Sequence, residues 1–158
     1  MNDPIKRFLK QNNILPINKW KNFKIVHHKK IQNKEEKSTA KKLIEHNVEG
    51  RAGLYAYMKD GKLLYVGKAK KLKDRLFSHY RESFYKSKKT DKAYAWYKFF
   101  SKYSGPINVY WLPIEGDRQR RIVEEMIELV EGTIFENEYP RGKRTIASRR
   151  KKTVIKNK

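Results

Sequence analysis

"GLYAYMKDGKLLYVGKAKKLKDRL", residues 53–76, decides the fold. Two strand-like runs, "GLYAYM" and "KLLYVG", flank Lys59-Asp60-Gly61, and apolar runs around an Asp-Gly pair signal a β-hairpin. Two turns are open. A two-residue Asp60-Gly61 turn pairs Ala56 with Tyr65 and sends Tyr55 to the opposite face. A three-residue loop with Gly61 in the left-handed conformation pairs Met58 with Lys62 and sets Tyr55 opposite Tyr65. Composition does not choose between them. A basic helix, "KAKKLKDRLFSHYRESFY", follows at once, with Leu72, Leu76 and Tyr80 at i, i+4 spacing. Arg75 and His79 are also four apart and share a neighbouring stripe.

The 158 residues suit one domain. Only 38% are hydrophobic, but three Trp, ten Tyr and seven Phe are enough for a small core, which argues against wholesale disorder. The formal net charge of +22 speaks of partners and not of fold. Basic residues interleaved with aromatics favour nucleic acid. No apolar run is long enough to span a membrane, and no clean amphipathic anchor is seen. Without cysteine, disulfides and thiolate metal sites are excluded. No signal-peptide pattern is read at the start, so the expected location is cytoplasmic.

Three segments are expected. Residues 1–50 form a basic N-terminal extension of helical character, residues 51–141 the main domain, and residues 142–158 a basic tail with eight Lys/Arg and no acid. In the extension, Asp3 and Pro4 open one short helix and Ser38 or Thr39 caps another. Trp20, Phe23, Ile25 and Val26 lie between them. Beyond the hairpin, "TDKAYAWYKFFSKY" reads as a helix broken by Gly105-Pro106, and "INVYWLPI" as a buried strand. Asp117 can cap a long final helix whose apolar stripe is Val123, Met126, Ile127, Val130 and Ile134. On that helix Glu125 and Glu128 point away from the stripe, Glu124 less so, and Glu131 lies closest to the buried face. A carboxylate there costs desolvation unless a cation meets it.

Each of these residues has an ordinary explanation by itself. Paired tyrosines are a common packing device, Arg75 suits a solvated cation, His79 a half-buried histidine, and Glu131 a surface glutamate paired with a lysine. Together they resemble the GIY-YIG nuclease family. The resemblance rests on Gly53-Leu54-Tyr55, then Tyr65-Val66-Gly67, Lys68 and a basic helix bearing Arg75, and on "EGTIFENEYP", which sets Glu131 before Pro140. "YVGKAKKLKDRL" is similar to the nuclease module of the bacterial excision-repair endonuclease.

The resemblance, over roughly residues 51–141, implies an α+β fold: a small three-stranded antiparallel sheet flanked by helices. It sets both motif tyrosines on one site and so favours the three-residue loop. It implies a DNA endonuclease that hydrolyses phosphodiester bonds. In that reading Tyr55 activates or positions water, with Lys68 and Arg75 favouring its ionised form. Arg75 clamps a non-bridging oxygen, Tyr65 orients water or phosphate, and His79 relays a proton or binds phosphate. Glu131 holds one Mg2+ or Mn2+, poorly without substrate. Lys70, Lys71, Lys73, Arg141, Lys143 and Arg144 are the expected DNA contacts. No small-molecule organic cofactor is expected, and a dimer on DNA would serve double-strand cleavage. One departure from the family is Lys143, which stands where an asparagine is usual. A stand-alone enzyme of restriction or mobile-element type is favoured over repair. The competing class is a non-catalytic DNA- or RNA-binding protein of the same fold.

Overall fold

The computed structural model describes residues 3–27, 33–83 and 91–139, without the side chains of residues 91–93. The element order is α1 (Pro4–Gln11), a 3-10 turn (Ile17–Lys19), β1 (Lys21–His27), α2 (Lys34–Val48), β2 (Gly53–Lys59), β3 (Lys62–Ala69), α3 (Leu72–Glu82), α4 (Asp91–Lys102), β4 (Gly105–Pro113), α5 (Asp117–Glu131) and α6 (Ile134–Glu138). The fold is α+β, as expected. The sheet has four strands rather than three, in the order β1-β4-β2-β3, and every pairing is antiparallel.

The fourth strand comes from the N-terminal segment, which was expected to be helical. In β1, Phe23, Ile25 and His27 alternate inward while Lys24 and Val26 stay outside. That is the period-two pattern of a half-buried edge strand. The helices on either side of it do form. Asp3 accepts hydrogen bonds from the amides of Ile5 and Lys6, with Pro4 in the first turn. The next helix starts earlier than Ser38, because Asn33 caps it through the Glu36 amide at 2.8 Å.

The hairpin combines features of both registers. Its turn is the two-residue one, with Lys59 opposite Lys62 and both Asp60 and Gly61 at positive φ (50° and 73°). The register then shifts between Tyr57 and Met58, so that Tyr57 and not Ala56 faces Tyr65. Leu64 is the extra residue of this bulge. The three-residue loop is therefore wrong, as is the simple two-residue register. Yet the bulge returns Tyr65 to the face shared by Tyr55 and Tyr57.

Two cores lie on the two faces of the sheet. Leu54, Ala56 and Val66 pack with Leu9, Leu15, Ile17, Trp20 and Ile127, under α1 and α5. Tyr55, Tyr57 and Tyr65 face α2, α3, α4 and α6, with Trp96, Phe99, Phe100 and Phe135. Strands β2 and β4 approach closely at Gly53, where any Cβ would run into the Leu112 carbonyl. The long final helix breaks at Gly132, whose φ is 66°. The chain then crosses the β3 edge, and α6 sets Phe135 against Tyr65, with ring centroids 5.3 Å apart.

Candidate active site

The site grows from the face that the bulge restores. Tyr55 on the central strand β2 and Tyr65 on the edge strand β3 have ring centroids 5.8 Å apart. Gly67 lies beneath them, opposite Tyr55 in the ladder. A Cβ on Gly67 would stand 2.6 Å from the Tyr55 hydroxyl and 2.6 Å from the Tyr65 ring. The motif glycine is therefore required by the two tyrosines folded over it.

Helix α3 supplies the next layer. Its first amide, Leu72 N–H, donates to the Arg51 carbonyl at 2.9 Å, which ties the helix start to the approach to β2. From there the i, i+4 spacing brings Arg75 and His79 toward the tyrosine face. The Tyr55 hydroxyl and His79 Nε2 are 2.7 Å apart in the buried interior. The other ring nitrogen, Nδ1, is 3.3 Å from a carboxylate oxygen of Glu82. Trp96 holds the imidazole from α4 at a centroid distance of 4.2 Å. Tyr57, the third tyrosine of the hairpin, presents its ring to the edge of His79 at 6.0 Å. The Tyr57 hydroxyl is buried without a hydrogen-bond partner among the described residues.

The electrostatics correct one expectation. Burial pushes the Tyr55 phenol well above its usual pKa, and its neighbours Tyr65 and Tyr57 push the same way. Arg75 pulls it down, but burial outweighs that cation. Without substrate, Tyr55 is therefore a neutral phenol. Tyr57 is raised in the same manner, first by burial and then by Tyr65 and Glu82.

Lys68, expected to act on Tyr55 beside Arg75, faces the other way. It pairs with Leu54 in the ladder and so points to the α5 side of the sheet. There its ammonium meets a Glu124 carboxylate oxygen at 2.6 Å. Glu124 is only 2% exposed, whereas the Glu131 side chain is 34% exposed and lies 3.9 Å from Lys6. This reverses the expected burial of the two acids. The buried face of α5 runs through Arg120, Glu124 and Ile127, about 70° around the helix from the apolar stripe at ~100° per residue. Hydrophobic periodicity missed it because two of its three members are charged. Arg120 is satisfied by the carbonyls of Ile114 and Glu115 and by Asp117. Glu131 shares that face on the wheel, but it is the last residue of the helix and opens to solvent.

Arg75 is exposed and lines an open groove of ≈ 380 Å³ with Ala69, Lys70, Lys71, Asp74 and Ser78. Lys73 lies instead against Gly50 at the end of α2. Arg141, Lys143 and Arg144, like the tail, fall outside the described residues. The structure thus brings together Tyr55, Tyr65 and His79, with Arg75 within electrostatic reach. It sends Lys68 to Glu124, and it sets Glu131 beside Lys6 and not in contact with this group. Glu82 was not anticipated, although its place three residues after His79 on one helix face was a usable signal.

Among the described residues no three His, Asp or Glu side chains group as a metal cluster, and no helix is long and apolar enough to cross a membrane. An accessible, loosely paired carboxylate such as Glu131 offers the hard oxygen that Mg2+ or Mn2+ prefers. Glu124 is already neutralised by Lys68.

The chain matches the family model of the UvrC-like GIY-YIG domain over residues 51–99. Among solved structures it is similar to the GIY-YIG N-terminal endonuclease domain of UvrC from Thermotoga maritima, a point mutant bound to its catalytic divalent cation. The identity is 20%, the match covers 54% of this chain and 82% of that one, and the TM-score is 0.38. No curated protein matches. The matched stretch holds β2, β3, α3 and most of α4.

Proposed function

We propose that the chain is a DNA endonuclease that hydrolyses phosphodiester bonds with a divalent metal, magnesium or manganese. The observation that carries this reading is the buried 2.7 Å contact between the Tyr55 hydroxyl and His79 Nε2, beside a groove lined by Arg75, Lys70 and Lys71. Packing alone does not call for a phenol aimed at an imidazole.

Each residue then has a task. Lys70 and Lys71 hold the DNA backbone along the groove, and Arg75 grips a non-bridging phosphate oxygen with its planar fork. Tyr65 lines up water or phosphate beside Tyr55. Tyr55 takes a proton from the attacking water after giving its own to His79. Glu131, with DNA phosphate and water oxygens, would hold the metal, which supplies charge stabilisation at the phosphate when bound. Lys68 is held by Glu124 on the opposite face and fixes α5 to the edge strand. Within this reading, a restriction or mobile-element enzyme is favoured over a repair enzyme, because the lysine-rich flanks give a small catalytic unit its own grip on DNA.

The test is nicking of supercoiled plasmid at low salt, with Mg2+, Mn2+ or EDTA, by the wild type and Glu131→Ala. Metal-dependent cutting that disappears in the variant is expected, and the fragment pattern separates specific from random cleavage. Tight binding without cutting, on plasmid and branched DNA alike, would favour the non-catalytic binding protein.

A further inference from the structure

The structure assigns Glu82 as a positioning residue that sets the tautomer of His79 and makes it the proton acceptor for Tyr55. This inference rests on the nuclease reading above. It goes beyond that reading by naming what makes a neutral, buried tyrosine usable as a base.

His79 is fixed on every side. Its side chain is 3% exposed, and Trp96 lies against the ring. Nε2 is committed to the Tyr55 hydroxyl at 2.7 Å, and Nδ1 faces the Glu82 carboxylate at 3.3 Å. A carboxylate only accepts hydrogen bonds. Nδ1 must therefore carry the hydrogen, and Nε2 is left with a lone pair pointing at the phenol. The reverse tautomer would set two lone pairs against each other at Glu82 and make His79 a donor to Tyr55. Among the described residues, the groups shown around the imidazole are Tyr55 and Tyr57 from β2, Tyr65 from β3, Trp96 from α4 and Glu82 from its own helix, while Arg75 acts on the Tyr55 phenol. Glu82 is the acid among them. It is the group that can balance an imidazolium.

The proton path closes. The Tyr55 O–H bond breaks and its proton passes to His79 Nε2, leaving a phenolate and an imidazolium paired with Glu82. The phenolate takes a proton from water as the water oxygen bonds to phosphorus. The phosphorus–oxygen bond to the leaving sugar breaks, and that oxygen takes up a proton through solvent, equivalent to the one His79 then releases. An orienting carboxylate behind an imidazole is the arrangement that activates weak hydroxyl nucleophiles in other enzymes.

The alternative is an ordinary i, i+3 ion pair on the flank of α3, and two readouts separate the readings. The first is the tautomer of His79, from long-range proton–nitrogen spectra of the 15N-labelled full chain. The wild type should show neutral His79 with hydrogen on Nδ1. Glu82→Gln, whose amide oxygen still accepts, should keep that form, and Glu82→Ala should lose it. The second is single-turnover nicking across pH. Glu82→Ala should cut about 100-fold more slowly with unchanged DNA affinity, and its acid limb should move to lower pH, since the removed carboxylate favours the imidazolium. Glu82→Gln should keep the tautomer yet cut at least about 10-fold more slowly, because it lacks the balancing charge. Hydrogen on Nε2 in the wild type would overturn the assignment, as would Glu82→Ala or Glu82→Gln cutting at the wild-type rate. If the wild type cuts no DNA, the nuclease reading has failed, and the spectra still decide whether Glu82 sets the tautomer.

Discussion

Replacing Gly67 by alanine adds one methyl group to the centre of the site. Its Cβ would lie 2.6 Å from both the Cζ and the hydroxyl oxygen of Tyr55, and 2.6 Å from Cε1 of Tyr65. Comfortable contact begins near ~3.5 Å, so both rings must retreat by about 1 Å. Neither is at the free end of a flexible chain. Tyr55 is bounded by Tyr57 and His79, and Tyr65 by Trp96 and Phe135. Overpacking of this kind costs about 1–3 kcal/mol, which urea denaturation measures. A hydrogen bond tolerates a few tenths of an ångström, so the Tyr55–His79 contact at 2.7 Å does not survive such a shift. A misplacement of ~1 Å in reacting groups lowers the rate by about 100-fold, which plasmid nicking reads. Gly61→Ala is the control. It meets nothing within 4 Å but sits at φ +73°, so it should cost about 1 kcal/mol and leave cutting intact. A Gly67→Ala protein with wild-type stability and nicking would show that the two tyrosines do not depend on this close approach.

Other outcomes follow from the same geometry. Lys68→Met takes the ammonium away from the buried Glu124 carboxylate and should cost about 2–3 kcal/mol in urea denaturation, below the full buried-pair range because Lys68 is itself a third exposed. Adding Glu124→Leu should recover most of the loss, and failure to recover it would mean the pair is not what matters there. Arg75→Lys keeps a charge but loses the fork, so cutting should fall by about 10–100-fold with nearly unchanged DNA affinity. Equal losses in both would make Arg75 a simple phosphate contact. Burial raises the Tyr55, Tyr57 and Tyr80 phenols, the last to about 12. Phenols raised in the folded state stabilise it fully below the unfolded value near ~10 and lose that stabilisation as pH climbs through the folded values. Stability should therefore be flat from neutral pH to about 10 and decline above it, by up to ~1.4 kcal/mol per pH unit for each tyrosine. Stability that holds constant well above that range would contradict the burial.

Much of the architecture was legible because its signals are local. The hairpin, the basic helix after it, the Asp3 cap and the strand at Gly105–Pro113 all follow from short-range pattern. Strand β1 was missed because its inward positions are Phe23, Ile25 and His27, and a buried histidine breaks the apolar alternation on paper. It is recognisable only once β4 offers the partner edge. The bulge at Leu64 was invisible for a related reason. Both registers drawn from the turn assumed an unbroken ladder, and the shift between Tyr57 and Met58 occurs where β2 also pairs with β4. At the site, Tyr55, Tyr65, Arg75 and His79 were singled out through the family resemblance that their motifs carry, since residue type and spacing alone left each with an ordinary packing or surface explanation. The Lys68–Glu124 pair joins residues 56 apart in sequence, which no local pattern encodes. The raised Tyr55 phenol likewise depends on how completely the neighbouring elements bury it.

The most direct test of the account is the nicking rate of Tyr55→Phe beside the wild type, in the same metal and salt. This change removes only the hydroxyl aimed at His79 and keeps the ring that packs over Gly67. A folded protein that still binds DNA and nicks at least about 100-fold more slowly is expected. A Tyr55→Phe protein that cuts as fast as the wild type would contradict the account.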